Sequence, residues 1–311
     1  MKRIKLIALL LVIVLATGAA GCDKKTDSMV RETAPPIVVT TDPNEVIFEF
    51  TEKNMPVIDG STATIPLAYA LKSVLLGKPM DEVEVNFSGT SSAYHNLMQE
   101  GSDILIVYEP PQELIDRYTD FYDQIEMAPI GRDGLVFLIN AENSVEGLTA
   151  EQIKEIYKGN LTNWSEVGGA DIAIKTYKRN STSGSQALME KLVMKGEEML
   201  ATESEMIIGA MGMLVEMVAQ YDNSGSAIGY NVFYYVTRMN LDGNVRLLEV
   251  DGVAPTTESI SKGDYPFVND FYAVIRKDEG ESSPARILYN WLQGEDGQAL
   301  VKHEGYSVIE G

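Results

Sequence analysis

Two unbroken apolar runs constrain the fold of this chain most. They are Asp103-Ile104-Leu105-Ile106-Val107-Tyr108 and Gly134-Leu135-Val136-Phe137-Leu138-Ile139-Asn140. Both are too short to cross a bilayer. Continuous apolarity over so few residues suits strands covered on both faces, as in a parallel sheet between helices. The flanking sequence supplies such helices. Val46–Phe50 is strand-like, Ile65–Leu76 has helical periodicity and stops at Gly77, and Val83–Phe87 alternates like a strand. Ala93–Glu100 is a short helix ending at Gly101. The order βαβαβ predicts a parallel sheet with covering helices. Further on, Thr149 caps a helix with Gln152 three residues later, a capping box, and that helix runs to Tyr157 and stops near Gly159. Ile172–Tyr177 and Ala227–Tyr230 read as strands, and Ser185–Lys195 as a helix closed by Gly196. Phe271–Ile275 is a strand, Ala285–Leu292 a helix, with Leu300–His303 as its continuation. With 311 residues, 45% apolar and 23% charged, the chain has the means for two α/β lobes with real cores.

The N-terminus is a secretory signal. Lys2-Arg3-Ile4-Lys5 is basic, Leu6–Ala16 is apolar, and Thr17-Gly18-Ala19-Ala20-Gly21-Cys22 is a small-residue cleavage region. Cys22, the only cysteine, stands where a lipoprotein carries its acyl chain, such as palmitate, so no internal disulfide is expected. Residues 1–21 are thus assigned to the leader and 22–44, polar and Pro-bearing, to a flexible tether. The expected location is the extracytoplasmic face of the cell membrane, held by lipid. Loss of Lys2, Arg3 and Lys5 with the leader leaves 22 of the 25 basic residues against all 46 acids, a net of −24. Such acidity argues against nucleic acid and against an anionic membrane surface as partners. It does not exclude a small anion bound by backbone N–H groups, hydroxyls and one Arg.

Three helix starts are rich in hydroxyls and glycine: Asp59-Gly60-Ser61-Thr62-Ala63-Thr64, Ser88-Gly89-Thr90-Ser91-Ser92, and Arg179-Asn180-Ser181-Thr182-Ser183-Gly184-Ser185. Each helix N-terminus offers unpaired N–H groups and partial positive charge. Ser and Thr are also ordinary N-caps, so one such start says little. Three, one preceded by Arg179, point to an oxyanion. An enzyme is the rival class. No G-x-S-x-G occurs, and Ser259-Ile260-Ser261-Lys262 is the only S-x-x-K, so a serine hydrolase is the weaker alternative. His95 and His303 are far apart, and no Cys/His metal spacing or cofactor motif is present. Met206, Met211, Met213 and Met217 follow helical spacing as packing residues, and Tyr230, Phe233, Tyr234 and Tyr235 read as strand residues.

The chain resembles the phosphate-binding proteins of ABC transporters, in the periplasmic-type solute-binding superfamily, over roughly residues 55 to 305. The resemblance is carried by Leu148-Thr149-Ala150-Glu151-Gln152-Ile153 through Ile156-Tyr157-Lys158-Gly159, and by Thr162-Asn163-Trp164-Ser165-Glu166-Val167-Gly168-Gly169. Arg179-x-x-x-Ser183-Gly184-Ser185, Asp59-Gly60-Ser61-Thr62, Gly89-Thr90-Ser91 and Ala227-Ile228-Gly229-Tyr230 add to it. It implies a two-lobed, periplasmic-binding-protein-like (type II) α/β fold, each lobe a mixed sheet flanked by helices. Lobe 1 would be 45–138 with 268–311, lobe 2 139–267, hinged near Leu138 and Pro266-Phe267. It implies phosphate held by Ser61, Thr62, Thr90, Ser91, Arg179, Ser183, Gly184 and Ser185, delivery to a permease, and a monomer without cofactor, metal or catalysis. Sulfate or molybdate binding, or phosphate sensing without transport, are the alternatives. The family often has an Asp after the third strand to accept a phosphate proton. Here the chain reads Val107-Tyr108-Glu109-Pro110-Pro111, so Glu109 or Tyr108 stands in for it, and Glu109→Gln is expected to alter phosphate-to-sulfate selectivity.

Overall fold

The structure is a computed structural model that describes residues 48–201, 204–220, 225–239 and 243–309. The leader, Cys22, the tether and the first residues of the expected strand at Val46–Phe50 lie outside the described residues. Two compact units are present. One comprises residues 48–55 with Tyr69–Glu84 among those described. Within it Phe48 and Phe50 meet edge-on at 5.0 Å, Lys78 pairs with Glu52, and Lys72 Nζ donates to Glu84 O at 2.6 Å.

The other unit, Pro56–Ala68 with the residues from Val85 onward, holds the sheet and the candidate site. The chain runs β1 (Ile58–Gly60), α1 (Ile65–Leu76), α2 (Thr90–Met98), β2 (Ile104–Val107), α3 (Gln112–Arg117) and β3 (Ile125–Asn140). It continues with β4 (Gly147–Leu148), α4 (Ala150–Lys158), β5 (Lys175–Thr176), β6 (Lys178–Arg179), α5 (Gly184–Leu188), β7 (Ile207–Ile208), α6 (Met211–Ala219) and β8 (Ala227–Val232). Last come β9 (Val245–Leu247), β10 (Glu249–Val250), α7 (Thr257–Lys262), β11 (Val268–Arg276), α8 (Pro284–Gln293) and α9 (Glu295–His303).

The main sheet has the order β1-β2-β11-β3-β8-β5, with β9 also on β3. β1 and β2 are parallel, as the buried run at Ile104–Val107 predicts, while β11 runs antiparallel to both β2 and β3. The sheet is therefore mixed. β3 changes partner along its length: Ile125–Gly134 pair with β11, and Leu135–Ile139 with β8. The apolar run Leu135–Ile139 is wholly buried because of this double use.

Several local expectations are corrected. Val83–Phe87 forms no strand. Its exit is fixed instead by Ser88 N donating to Asp59 Oδ1 at 2.7 Å and Gly89 N to Gly60 O at 3.1 Å. Of Ile172–Tyr177 only Lys175–Thr176 pair with β8. The helix expected over Ser185–Lys195 is α5 followed by a π-helical turn, Met189–Met194. Phe233–Tyr235 are helical rather than extended. Leu300–His303 belong to α9, a separate helix after Gly294.

The segment most specific to the resemblance proves to be scaffold. Thr149 and Gln152 make the capping box, with Gln152 N donating to Thr149 Oγ1 at 3.1 Å and Thr149 N to Gln152 Oε1 at 2.8 Å. Asn163 and Glu166 repeat the device on the next turn. Trp164 is fully buried, its indole N–H donating to Ser226 O at 3.0 Å. Burying such a ring while satisfying its one donor anchors the loop between α4 and β5.

Candidate oxyanion site

The three hydroxyl-rich starts converge on one recess. β1 delivers Ser61 and Thr62 at its end, and its parallel neighbour β2 delivers Tyr108. Gly60 has to be glycine here, because a Cβ would lie 2.0 Å from Ile106 O on that neighbour. Ser61 Oγ accepts from Tyr108 N at 3.1 Å and lies 2.9 Å from Thr90 Oγ1 at the start of α2. Whichever of the two hydroxyls donates to the other, one proton is left over for the recess. Asp59 holds the two starts together. Its carboxylate accepts from Gly60 N and Ser88 N, both at 2.7 Å, from Ser88 Oγ at 2.6 Å and from Asn96 Nδ2 at 2.9 Å.

The opposite wall is the loop from β6 into α5. Ser183 is its N-cap, and the first backbone donors to turn back are those of Gln186 and Ala187, both onto Ser183 O at 3.1 Å. The N–H groups of Gly184 and Ser185 are thus in the free first turn. Gly184 faces Thr90 so closely that a Cβ would lie 2.6 Å from Thr90 Oγ1. Ser91 Oγ donates across the mouth to Thr182 O at 3.0 Å.

Arg179 supplies the charge. Its Nε donates to Ile208 O and its Nη2 to Gly209 O, both at 3.0 Å, and its Nη1 to Ser185 Oγ at 3.4 Å. Among the described residues these bonds use three of the five guanidinium donors, and no carboxylate pairs with the group. Arg179 is only 7% exposed. Burial pulls its pKa down from the ordinary value, yet a guanidinium stays charged at neutral pH. A buried cation with spare donors and no counter-ion is costly unless an anion completes it.

Of the residues expected at the anion, Ser61, Thr62, Thr90, Ser91, Arg179, Ser183 and Gly184 line the recess. Ser185 is fully buried behind them, 3.0 Å from Ser183 Oγ, and positions Arg179. Glu109 is not brought to the recess. It pairs with Lys191 and accepts from Tyr272 Oη at 3.1 Å. Tyr108 lines the recess, but its hydroxyl is committed to Asp133 Oδ2 at 2.7 Å. Gly209 and Met211, at the start of α6, also line it. Their signal was a fourth glycine-led helix start, hidden by reading the methionines as packing alone; Met213 is in fact exposed. Ser259 lies apart: its Oγ donates to Ala254 O at 2.7 Å, and Lys262 pairs with Glu258 at 2.5 Å. His95 and His303 are exposed, against Tyr118 and Glu304.

Asp133 was also missed, although an acid next to an apolar strand is a signal in itself. It is buried in β3, where Oδ1 accepts from Gly134 N at 2.8 Å and from Tyr234 N at 3.1 Å. Burial lifts its pKa from 3.8 to about 6, against the pull of the Tyr108 hydroxyl and the backbone donors. The native state therefore keeps a proton that the unfolded chain has released between about pH 4 and about pH 6. Stability from this group is full below that window and falls as pH rises through it, by up to about 3 kcal/mol. Asp133→Asn is expected to flatten this slope in denaturant midpoints taken across the window. An unchanged slope in the variant would assign the pH dependence to other groups.

Among the described residues no helix is long and apolar enough to cross a membrane. The chain is similar to proteins that transport phosphate. The phosphate-binding protein PstS of Bacillus subtilis is 27% identical over 321 residues, covering 99% of this chain and 95% of that protein. A Clostridium perfringens phosphate ABC transporter substrate-binding protein, solved with bound phosphate, superposes with a TM-score of 0.65 at 27% identity, covering 81% of this chain and 98% of that one. An ABC-type phosphate transport receptor of Vibrio cholerae shares the fold, with a TM-score of 0.61 at 24% identity over 84% of this chain and all of that one. Residues 53–293 match the family model of the PBP superfamily domain. This mixed α/β protein therefore belongs to the PBP superfamily.

Proposed function

We infer that this protein is a receptor that captures inorganic phosphate and passes it to the permease of an ABC transporter. One observation carries the inference: the Arg179 guanidinium, buried and without a carboxylate partner among the described residues, shares a recess with the hydroxyls of Ser61, Thr90 and Ser183. Charge-assisted bonds from a guanidinium and hydroxyls suit a tetrahedral oxyanion. The bound phosphate of the Clostridium perfringens relative favours phosphate among such anions. On this assignment residues 45–138 with 268–311 form one lobe and 139–267 the other. The partner change of β3 at Gly134 and Leu135 supports crossings close to Leu138 and Phe267. The leader and Cys22 make the receptor an extracytoplasmic lipoprotein, tethered by residues 22–44.

Calorimetric titration of the mature protein tests the assignment. Inorganic phosphate is expected to bind with micromolar or tighter affinity, about −8 kcal/mol or better. No binding at millimolar phosphate would refute it.

A further inference from the structure

Among the described residues, three contacts join the two walls of the recess. Ser91 reaches Thr182, and Gly184 abuts Thr90. The third contact is the ion pair of Glu109, just after β2, with Lys191, in the π-helical turn that follows α5. The first two involve residues that line the recess. The third lies outside the lining, so it cannot act by touching the anion.

Arg179, Thr90 and Ser183 are each less than a tenth exposed. Parting the walls would expose these groups to an incoming anion. Parting separates Lys191 from Glu109, because Glu109 is kept on its own wall by the Tyr272 hydroxyl of β11, the antiparallel neighbour of β2. The pair is partly wet, with side-chain exposures of 56% for Lys191 and 26% for Glu109. Such a pair adds little to folding. Its effect falls on the balance between parted and joined walls, where a small energy is read directly as a rate.

We propose that Glu109 and Lys191 are positioning residues that latch the two walls over a bound oxyanion and slow its release. The latch rests on the phosphate assignment above, and it gives Glu109 a role other than accepting a ligand proton. It predicts faster dissociation without the pair and an unchanged choice between phosphate and sulfate.

Rapid-mixing kinetics on the full mature chain, with inorganic phosphate and with sulfate as competitor, provide the test. Lys191→Met and Glu109→Gln are each expected to speed phosphate release about threefold, the scale of a partly exposed ion pair. The double variant should match either single one, since both remove one interaction. Exchanging the charges, with Glu109→Lys and Lys191→Glu together, should restore slow release. Release at the wild-type rate in both single variants, or additive effects in the double variant, would overturn the latch. A changed phosphate-to-sulfate ratio in Glu109→Gln would overturn it too, by putting that carboxyl on the anion. In each of these cases phosphate binding by the wild type still stands. Wild-type protein that ignores phosphate overturns the functional assignment and the latch with it.

Discussion

Arg179→Ala is expected to lower phosphate affinity about 30-fold or more, a loss of about 2 kcal/mol. The size follows from what the side chain does. It is the cation of the recess, it is buried, and among the described residues it has no carboxylate partner. Alanine removes the charge together with the two donors that remain after Ile208 O, Gly209 O and Ser185 Oγ are served. Arg179→Lys should fall between, because an ammonium keeps the charge but not the planar fork. Calorimetry reads the affinities, and an unfolding curve for each variant separates a lost ligand contact from a disturbed β6–β7 pair. Titration of Arg179→Ala indistinguishable from wild type would place the anion elsewhere.

The second large effect is expected at Gly184. Its Cα faces Thr90 with no room for a side chain, since an added Cβ would stand 2.6 Å from Thr90 Oγ1. Gly184→Ala therefore forces apart the two walls that must both reach the ligand. Affinity should drop at least tenfold, about 1.4 kcal/mol, although a single methyl group is added. The same geometry predicts the rescue. The Cβ of Thr90 would lie 3.6 Å from the new methyl, an ordinary contact, so only the hydroxyl collides. Thr90→Ala should thus weaken phosphate binding in the wild-type background and cost little further in Gly184→Ala. Such non-additivity marks residues in direct contact. Additive losses would mean that the walls are not held this close when phosphate is bound.

Local features of this fold were legible because their causes are local. The Thr149–Gln152 capping box needs only residues three apart, and it forms as expected. The buried strands at Ile104–Val107 and Leu135–Ile139 were marked by their unbroken apolarity. Val83–Phe87 has the same kind of local pattern and failed as a strand. Alternation shows which side chains turn inward, while a strand also needs a neighbour for its backbone. Here Asp59 binds Ser88 instead and leads the chain into α2. Phe233–Tyr235 misled for a related reason: aromatic residues favour strands, but Tyr234 N is held by the buried Asp133 carboxylate and the chain turns helical.

The amino-acid order alone determined which segments begin helices with free N–H groups and hydroxyls, and that one Arg accompanies them. It could not determine that these segments meet. That was decided by the parallel pairing of β1 with β2, and by the path that sets Gly184 against Thr90. It could not place Glu109 either, because the choice between ligand and Lys191 depends on a residue distant in sequence. Capping and apolar patterning act over a few residues, whereas an anion site is a matter of distances between segments, and only long-range pairing sets those.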